Sequence, residues 1–90
     1  MIKLSKRLTS IADMVEDNSK IVDIGCDHAL LDIYLYQQKI SNKIIASDVN
    51  ENALNNAKEN IRKNKLNNQI ETRLEIASSL LDNLIIHKIL

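Results

Sequence analysis

Apolar positions along this chain switch between two rhythms. Leu4, Leu8, Ile11, Ala12 and Val15 recur at helical spacing, with Lys6, Arg7, Thr9, Asp13 and Glu16 on the other faces, which predicts an amphipathic helix over residues 4–16. Asp17-Asn18-Ser19 is a polar turn. The β-branched run Ile21-Val22-Asp23-Ile24 predicts a first strand over residues 20–24, ended by Gly25. Leu30, Leu31, Tyr34 and Leu35 form a second helical stripe over residues 29–39. After Ser41-Asn42, residues 43–47 predict a second strand that stops at Asp48. Asn50 is a good N-cap for a third helix reaching residue 65, with Ala53, Leu54, Ala57, Ile61 and Leu66 turned inward. Glu51 near its start and Arg62, Lys63 and Lys65 near its end suit the helix dipole. Residues 70–76 alternate Ile70, Thr72, Leu74 and Ile76 with Glu71, Arg73 and Glu75, predicting a third strand.

The order α-β-α-β-α-β predicts an α/β fold with a parallel three-stranded sheet and right-handed crossovers. Three strands with two crossover helices make one Rossmann-like half-fold, a single partial domain over residues 1–90. The last 14 residues, 77–90, allow two readings. A fourth strand beside the first, over residues 84–90, would need about eight links to cross a diagonal of about 22 Å, against a reach of roughly 27 Å. That leaves no room for a crossover helix. A C-terminal helix is the better expectation: Ser79-Leu80-Leu81-Asp82 resembles a capping box, and Leu80, Leu81, Leu84, Ile85 and Ile89 share one face. With no fourth strand, the edge of the first strand would be open, a place for self-association unless the tail folds over it.

Composition narrows the chemistry. Lys plus Arg and Asp plus Glu each number 12, so the formal charge is zero, which argues against a polybasic nucleic-acid binder. Hydrophobic residues are 44% of the chain, enough for a packed core. No apolar run approaches the roughly 20 residues that span a bilayer, and no apolar signal region follows Met1, so a cytoplasmic location is expected. Cys26 is the only cysteine, so neither a disulfide framework nor a multi-cysteine metal site is expected. A single glycine cannot build a Gly-rich phosphate loop.

The informative segment is Val22-Asp23-Ile24-Gly25-Cys26-Asp27-His28-Ala29, where the first strand turns into the next helix. Ligands of the nucleotide kind bind there in this architecture. Gly25 lets a ligand approach the backbone closely. Asp23 and Asp27 flank it, and Asp48 ends the second strand, where an acid hydrogen-bonds ribose hydroxyls. Carboxylates would repel a pyrophosphate, and Asp27 and His28 stand where a dinucleotide loop wants glycines. S-adenosylmethionine, with an adenosine, a sulfonium and an ammonium but no phosphate, fits this charge pattern better than a nicotinamide cofactor.

Lys6-Arg7-Leu8, Asp23-Ile24-Gly25-Cys26-Asp27-His28-Ala29-Leu30-Leu31 and Ser47-Asp48-Val49-Asn50 together resemble the bacterial tRNA (adenine(22)-N(1))-methyltransferase family, the Asp-His pair after the glycine being its most distinctive mark. The resemblance covers residues 4–74. It implies a Rossmann-like enzyme that moves a methyl group from S-adenosylmethionine to N1 of a tRNA adenine. It also implies cofactor binding by Asp23, Gly25, Asp27 and His28 in the first motif, and by Asp48 and Val49 after the second strand. Family members are more than twice as long. After the third strand they continue with a Gly-containing turn, a strand ending in a Gly-Met-Gly-type loop and a helical C-terminal domain. Glu75-Ile76-Ala77-Ser78 stands where that turn belongs, so a truncated, cofactor-binding half is expected. The resemblance singles out no catalytic residue.

Plainer roles stand beside these. Asp27 suits the N-cap of the second helix, Asp23 a helix or turn cap, and Asp48 a strand-ending turn. His28 fits as a first-turn residue and Cys26 as a small buried one. Lys58, Arg62, Lys63 and Lys65 fit a solvated helix face, and Tyr34 and Tyr36 are too few for a base-stacking platform. The alternative to a methyltransferase half is a non-catalytic nucleoside-binding or interaction fragment.

Overall fold

A computed structural model describes residues 3–74 and 85–88. The first five elements run α1 (Lys6–Asp13), β1 (Lys20–Ile24), α2 (Leu30–Gln37), β2 (Lys43–Ser47) and α3 (Glu51–Lys63), followed by β3 (Ile70–Arg73) and β4 (Ile85–Lys88). The strands form one parallel sheet in the order β3-β2-β1-β4. β1 and β2 have the bounds expected from their β-branched runs. α1 is shorter than its apolar stripe: it starts at a Ser5 cap that accepts from the Leu8 amide and ends at Asp13, yet Val15 beyond it is still buried. α3 begins as expected at Asn50, whose side chain accepts from the Ala53 amide at 3.0 Å.

The core lies between the sheet and the helices. Ile21, Ile44 and Ile70 occupy one row of the sheet register and pack with Leu31, Leu35, Leu54, Ala57 and Ile61. Each large aliphatic side chain buried there contributes roughly 1.5–3 kcal/mol. Val22, on the opposite face from Ile21, is also fully buried. β1 is therefore apolar on both faces, as an interior parallel strand should be. α2 is enclosed as well, contacting α1, α3 and β2 and burying Leu31, Asp32, Ile33 and Leu35.

The C-terminal segment departs from expectation. Where a helix is expected, residues 85–88 form β4, with Ile21 opposite Ile85 and Asp23 opposite His87. The rest of the expected helix lies outside the described residues. The edge of β1, expected to be open and a place for self-association, is paired with β4. The physical reason lies in the end of β3. That strand ends at Arg73, so 12 links of chain, not eight, separate it from Ile85 at the start of β4. About 12 links reach roughly 40 Å, well beyond the diagonal required. Backbone groups along the edge of β1 gain ladder partners from residues 85–88, which a helix there would leave unpaired.

Among the described residues no helix is long and apolar enough to cross a membrane.

Candidate cofactor site

The C-terminal ends of β1 and β2 carry two loops that are tied together by backbone groups. The amides of Gly25 and Cys26 both donate to the Ser47 carbonyl, each at 2.9 Å, carrying the β1–β2 ladder past the end of the strands. The Ser47 hydroxyl donates back to the Asp23 carbonyl at 3.0 Å. The Asp48 amide donates to the Arg73 carbonyl at 3.1 Å, which fixes the end of β2 against β3.

The β1–α2 loop is tightly wound. Gly25, Asp27 and Ala29 have φ values of 74°, 50° and 58°. The left-handed region costs an L-residue roughly 1–2 kcal/mol, least for Gly and for Asp or Asn, so the order Gly25-x-Asp27 matches the backbone the loop needs. Ala29 has neither advantage and is held by its surroundings: it is fully buried, and its amide donates to the Cys26 carbonyl at 2.7 Å. Strain of this kind gathers at functional loops. Ala29, not Asp27, is the N-cap of α2, and no side chain caps it.

Asp48 joins the loops. Its Oδ2 accepts from the Asp27 amide at 3.2 Å and its Oδ1 from the Asn50 amide at 2.9 Å. Each carboxylate oxygen keeps a lone pair beyond these bonds. The Asp27 and His28 side chains are exposed, with His28 Nε2 3.9 Å from Asp27 Oδ1, an ion pair only when the imidazole is protonated. Asn60 on α3 donates from Nδ2 to the His28 carbonyl at 2.9 Å and anchors the far side of the loop. Val49, 83% exposed, offers apolar surface beside Asp48. The fold thus brings Gly25, Asp27, His28, Asp48 and Val49 to one end of the sheet.

Asp23 is placed differently: its side chain is fully buried on the helix side of β1, in the same register row as Ala46. Beside it lies Asp32, also fully buried, in the first turn of α2. None of the four carboxyl oxygens has a partner of good hydrogen-bond geometry among the described residues; each side chain faces the other, and the Asp32 backbone amide has only the smallest influence on its own carboxyl. Burial raises Asp23 to about 6, with the bond from Asp32 opposing and the Asp48 charge adding to the rise. Burial, then the Asp23 charge, holds Asp32 well above the ordinary carboxyl range. The same burial, with the charges of Asp32, Asp23 and Asp48, pushes the Cys26 thiol above its usual value, so this buried cysteine is a neutral side chain and not a nucleophile.

Asp32 and Asn60 are absent from the residues picked out of the sequence, and Ser47 appears there only within the segment Ser47-Asp48-Val49-Asn50, with no role of its own. Only Asp32 leaves a signal there, as the one charged residue of the segment Leu30–Gln37. A cavity of about 610 Å³ lies at the opposite end of the strands, lined in part by Lys20, Asn42, Lys43 and Asn68. Open parallel sheets hold their ligands at the carboxyl ends of the strands, which favours the Gly25 and Asp48 loops over that cavity.

Known proteins place this geometry in a family. A family profile described as a methyltransferase domain matches residues 4–90. A tRNA methyltransferase candidate of Mycoplasma genitalium is 43% identical over 53 residues, 57% of this chain and 24% of that protein. The structure of M. capricolum TrmK with the cofactor product S-adenosyl-homocysteine superposes with a TM-score of 0.79 at 38% identity, covering 92% of this chain and 37% of TrmK. The B. subtilis m1A22 tRNA methyltransferase TrmK gives a TM-score of 0.77 at 33% identity, covering 81% of this chain and 31% of that one. This chain thus spans less than two fifths of the length of each. By its sequence over residues 4–90 the chain belongs to the methyltransferase domain family, and m1A22 tRNA methyltransferases are among the proteins it is similar to.

Proposed function

We propose that the chain is the cofactor-binding half of an S-adenosylmethionine-dependent tRNA (adenine-N1)-methyltransferase acting in the cytoplasm. The observation that carries this reading is Asp48, whose two oxygens accept one amide from each loop and so fix both loops around one carboxylate. The donor set fits the cofactor. Exposed Asp27 suits a sulfonium or ammonium, the remaining lone pairs of Asp48 suit ribose hydroxyls, and Val49 gives an adenine apolar surface. Gly25 lets the ligand approach the backbone, and His28 stands beside Asp27 at the rim. Asp23 acts from beneath, supplying negative charge from the protein interior. When bound, the cofactor supplies a methyl group activated by the sulfonium charge, and the chain's own residues bind and orient it. The substrate half of the proposal, a tRNA adenine, rests on the relatives named above.

Calorimetric titration with S-adenosylhomocysteine and with NAD tests the reading. Binding of the first and little or none of the second is expected. Tighter binding of NAD would contradict the charge argument.

A further inference from the structure

Two carboxylates cannot bond to one another, yet Asp23 and Asp32 are fully buried and have no other partner of good hydrogen-bond geometry among the described residues. Leaving both ionised would put two unpaired charges in the core, which proteins avoid by neutralising a group. One shared proton removes the conflict: a neutral carboxyl donates a short, charge-assisted bond to its ionised neighbour. We propose that Asp32 is a positioning residue for the cofactor loop, its protonated carboxyl donating to Asp23 and so tying the first turn of α2 to the end of β1 at the base of the Gly25 loop. The proposal rests on the reading of that loop as the cofactor site.

The proton belongs on Asp32. At Asp32 burial and the Asp23 charge both oppose ionisation, while at Asp23 the donated bond favours it. Other titratable groups stand near the pair among the described residues. Asp48 at the end of β2 adds negative charge, Cys26 in the loop is a neutral thiol, and on β4 the residue in register with Asp23 is His87. The tie has a consequence for the site. Asp23 keeps a single negative charge at a fixed place under a loop whose ligand carries positive charge, and loss of the Asp32 proton at high pH breaks the bond that fixes it.

The full chain without ligand is first titrated by carboxyl-carbon NMR. Asp32 is expected to titrate well above the ordinary carboxyl range, and Asp23 above it as well. Ordinary carboxyl titration of both would overturn the proposal, whatever binds. S-adenosylhomocysteine affinity is then measured from pH 6 to 9 for wild type, Asp32→Asn and Asp32→Leu. The amide of Asp32→Asn keeps a donor at every pH, so its affinity should stay within about twofold of wild type at pH 6 and should not fall at high pH, where wild type weakens. Asp32→Leu should weaken binding about tenfold, the loss of one hydrogen bond to a charged group. Wild-type affinity and pH dependence in Asp32→Leu would overturn the positioning role. If wild type binds no S-adenosylhomocysteine while its carboxyls titrate as expected, the cofactor reading fails and the positioning role fails with it, although the shared proton stands.

Discussion

The Asp48 carboxylate accepts the Asp27 amide at 3.2 Å across 21 residues of chain, and this bond sets the distance between the two loops at the top of the sheet. Its other oxygen holds the Asn50 amide at 2.9 Å, at the start of α3. Asp48→Ala removes both. We expect a loss of roughly 1.5–3 kcal/mol of stability, in the range for hydrogen bonds to a charged group. S-adenosylhomocysteine affinity should fall at least about tenfold. Asp48→Asn, which keeps one acceptor oxygen, should fall between the two. Thermal melts and titration check both numbers, and equal affinity of Asp48→Ala and wild type would remove Asp48 from the ribose role.

The buried acid pair makes stability depend on pH in an unusual direction. Asp23 binds its proton more tightly folded, at about 6, than unfolded, at 3.8. Between those values the folded state holds more protons, so stability falls as pH rises. The favourable contribution is complete below the unfolded value and gone above the folded one. Asp23→Asn carries no such charge. Its stability relative to wild type should grow from near zero at pH 4 to roughly 3 kcal/mol at pH 7. Denaturant melts of both proteins at several pH values measure this, and a pH-independent difference would contradict it.

Cys26 should be inert while the protein is folded. It is 3% exposed, and burial with nearby carboxylates disfavours its thiolate. Reaction with a thiol reagent at neutral pH should be at least about 100-fold slower in native protein than in urea, since it must wait for opening of the loop. Fast labelling of the native chain would show that the β1–α2 loop opens readily.

β4 should matter for association. A chain ending at residue 76 lacks the strand that pairs with β1, and it exposes an edge next to Val22, Ile21 and Ile24. Sedimentation should find larger species and a lower melting temperature than for the full chain. Two well-folded monomers with equal melts would show that the edge is harmless.

Much of this arrangement is legible in the residues. Ile21-Val22-Asp23-Ile24 and the run from Lys43 to Ser47 are bounded by turn residues, so β1 and β2 have the expected ends. Asn50 announces its helix because a cap is a local interaction. The same local reasoning fails at residues 85–88: a helical stripe of apolar residues says nothing of the edge of β1, to which these residues are paired. The site divides in the same way. Gly25, Asp27 and Asp48 are recognisable because turn chemistry and strand ends place them. Asp32 escapes notice because an acid in the first turn of a helix reads as a dipole partner, and only the packing of α2 between α1, α3 and the sheet buries it. Asn60 escapes because its partner, the His28 carbonyl, is 32 residues away.

The central claim is that the loops after β1 and β2 hold the adenosyl cofactor, and amide NMR of the 90-residue chain titrated with S-adenosylhomocysteine tests it most directly. The largest shifts are expected at Gly25, Cys26, Asp27 and His28 and at Asp48, Val49 and Asn50. Shifts centred on Lys20, Lys43 and Asn68 at the other end of the sheet, or no saturable shifts at all, would contradict it.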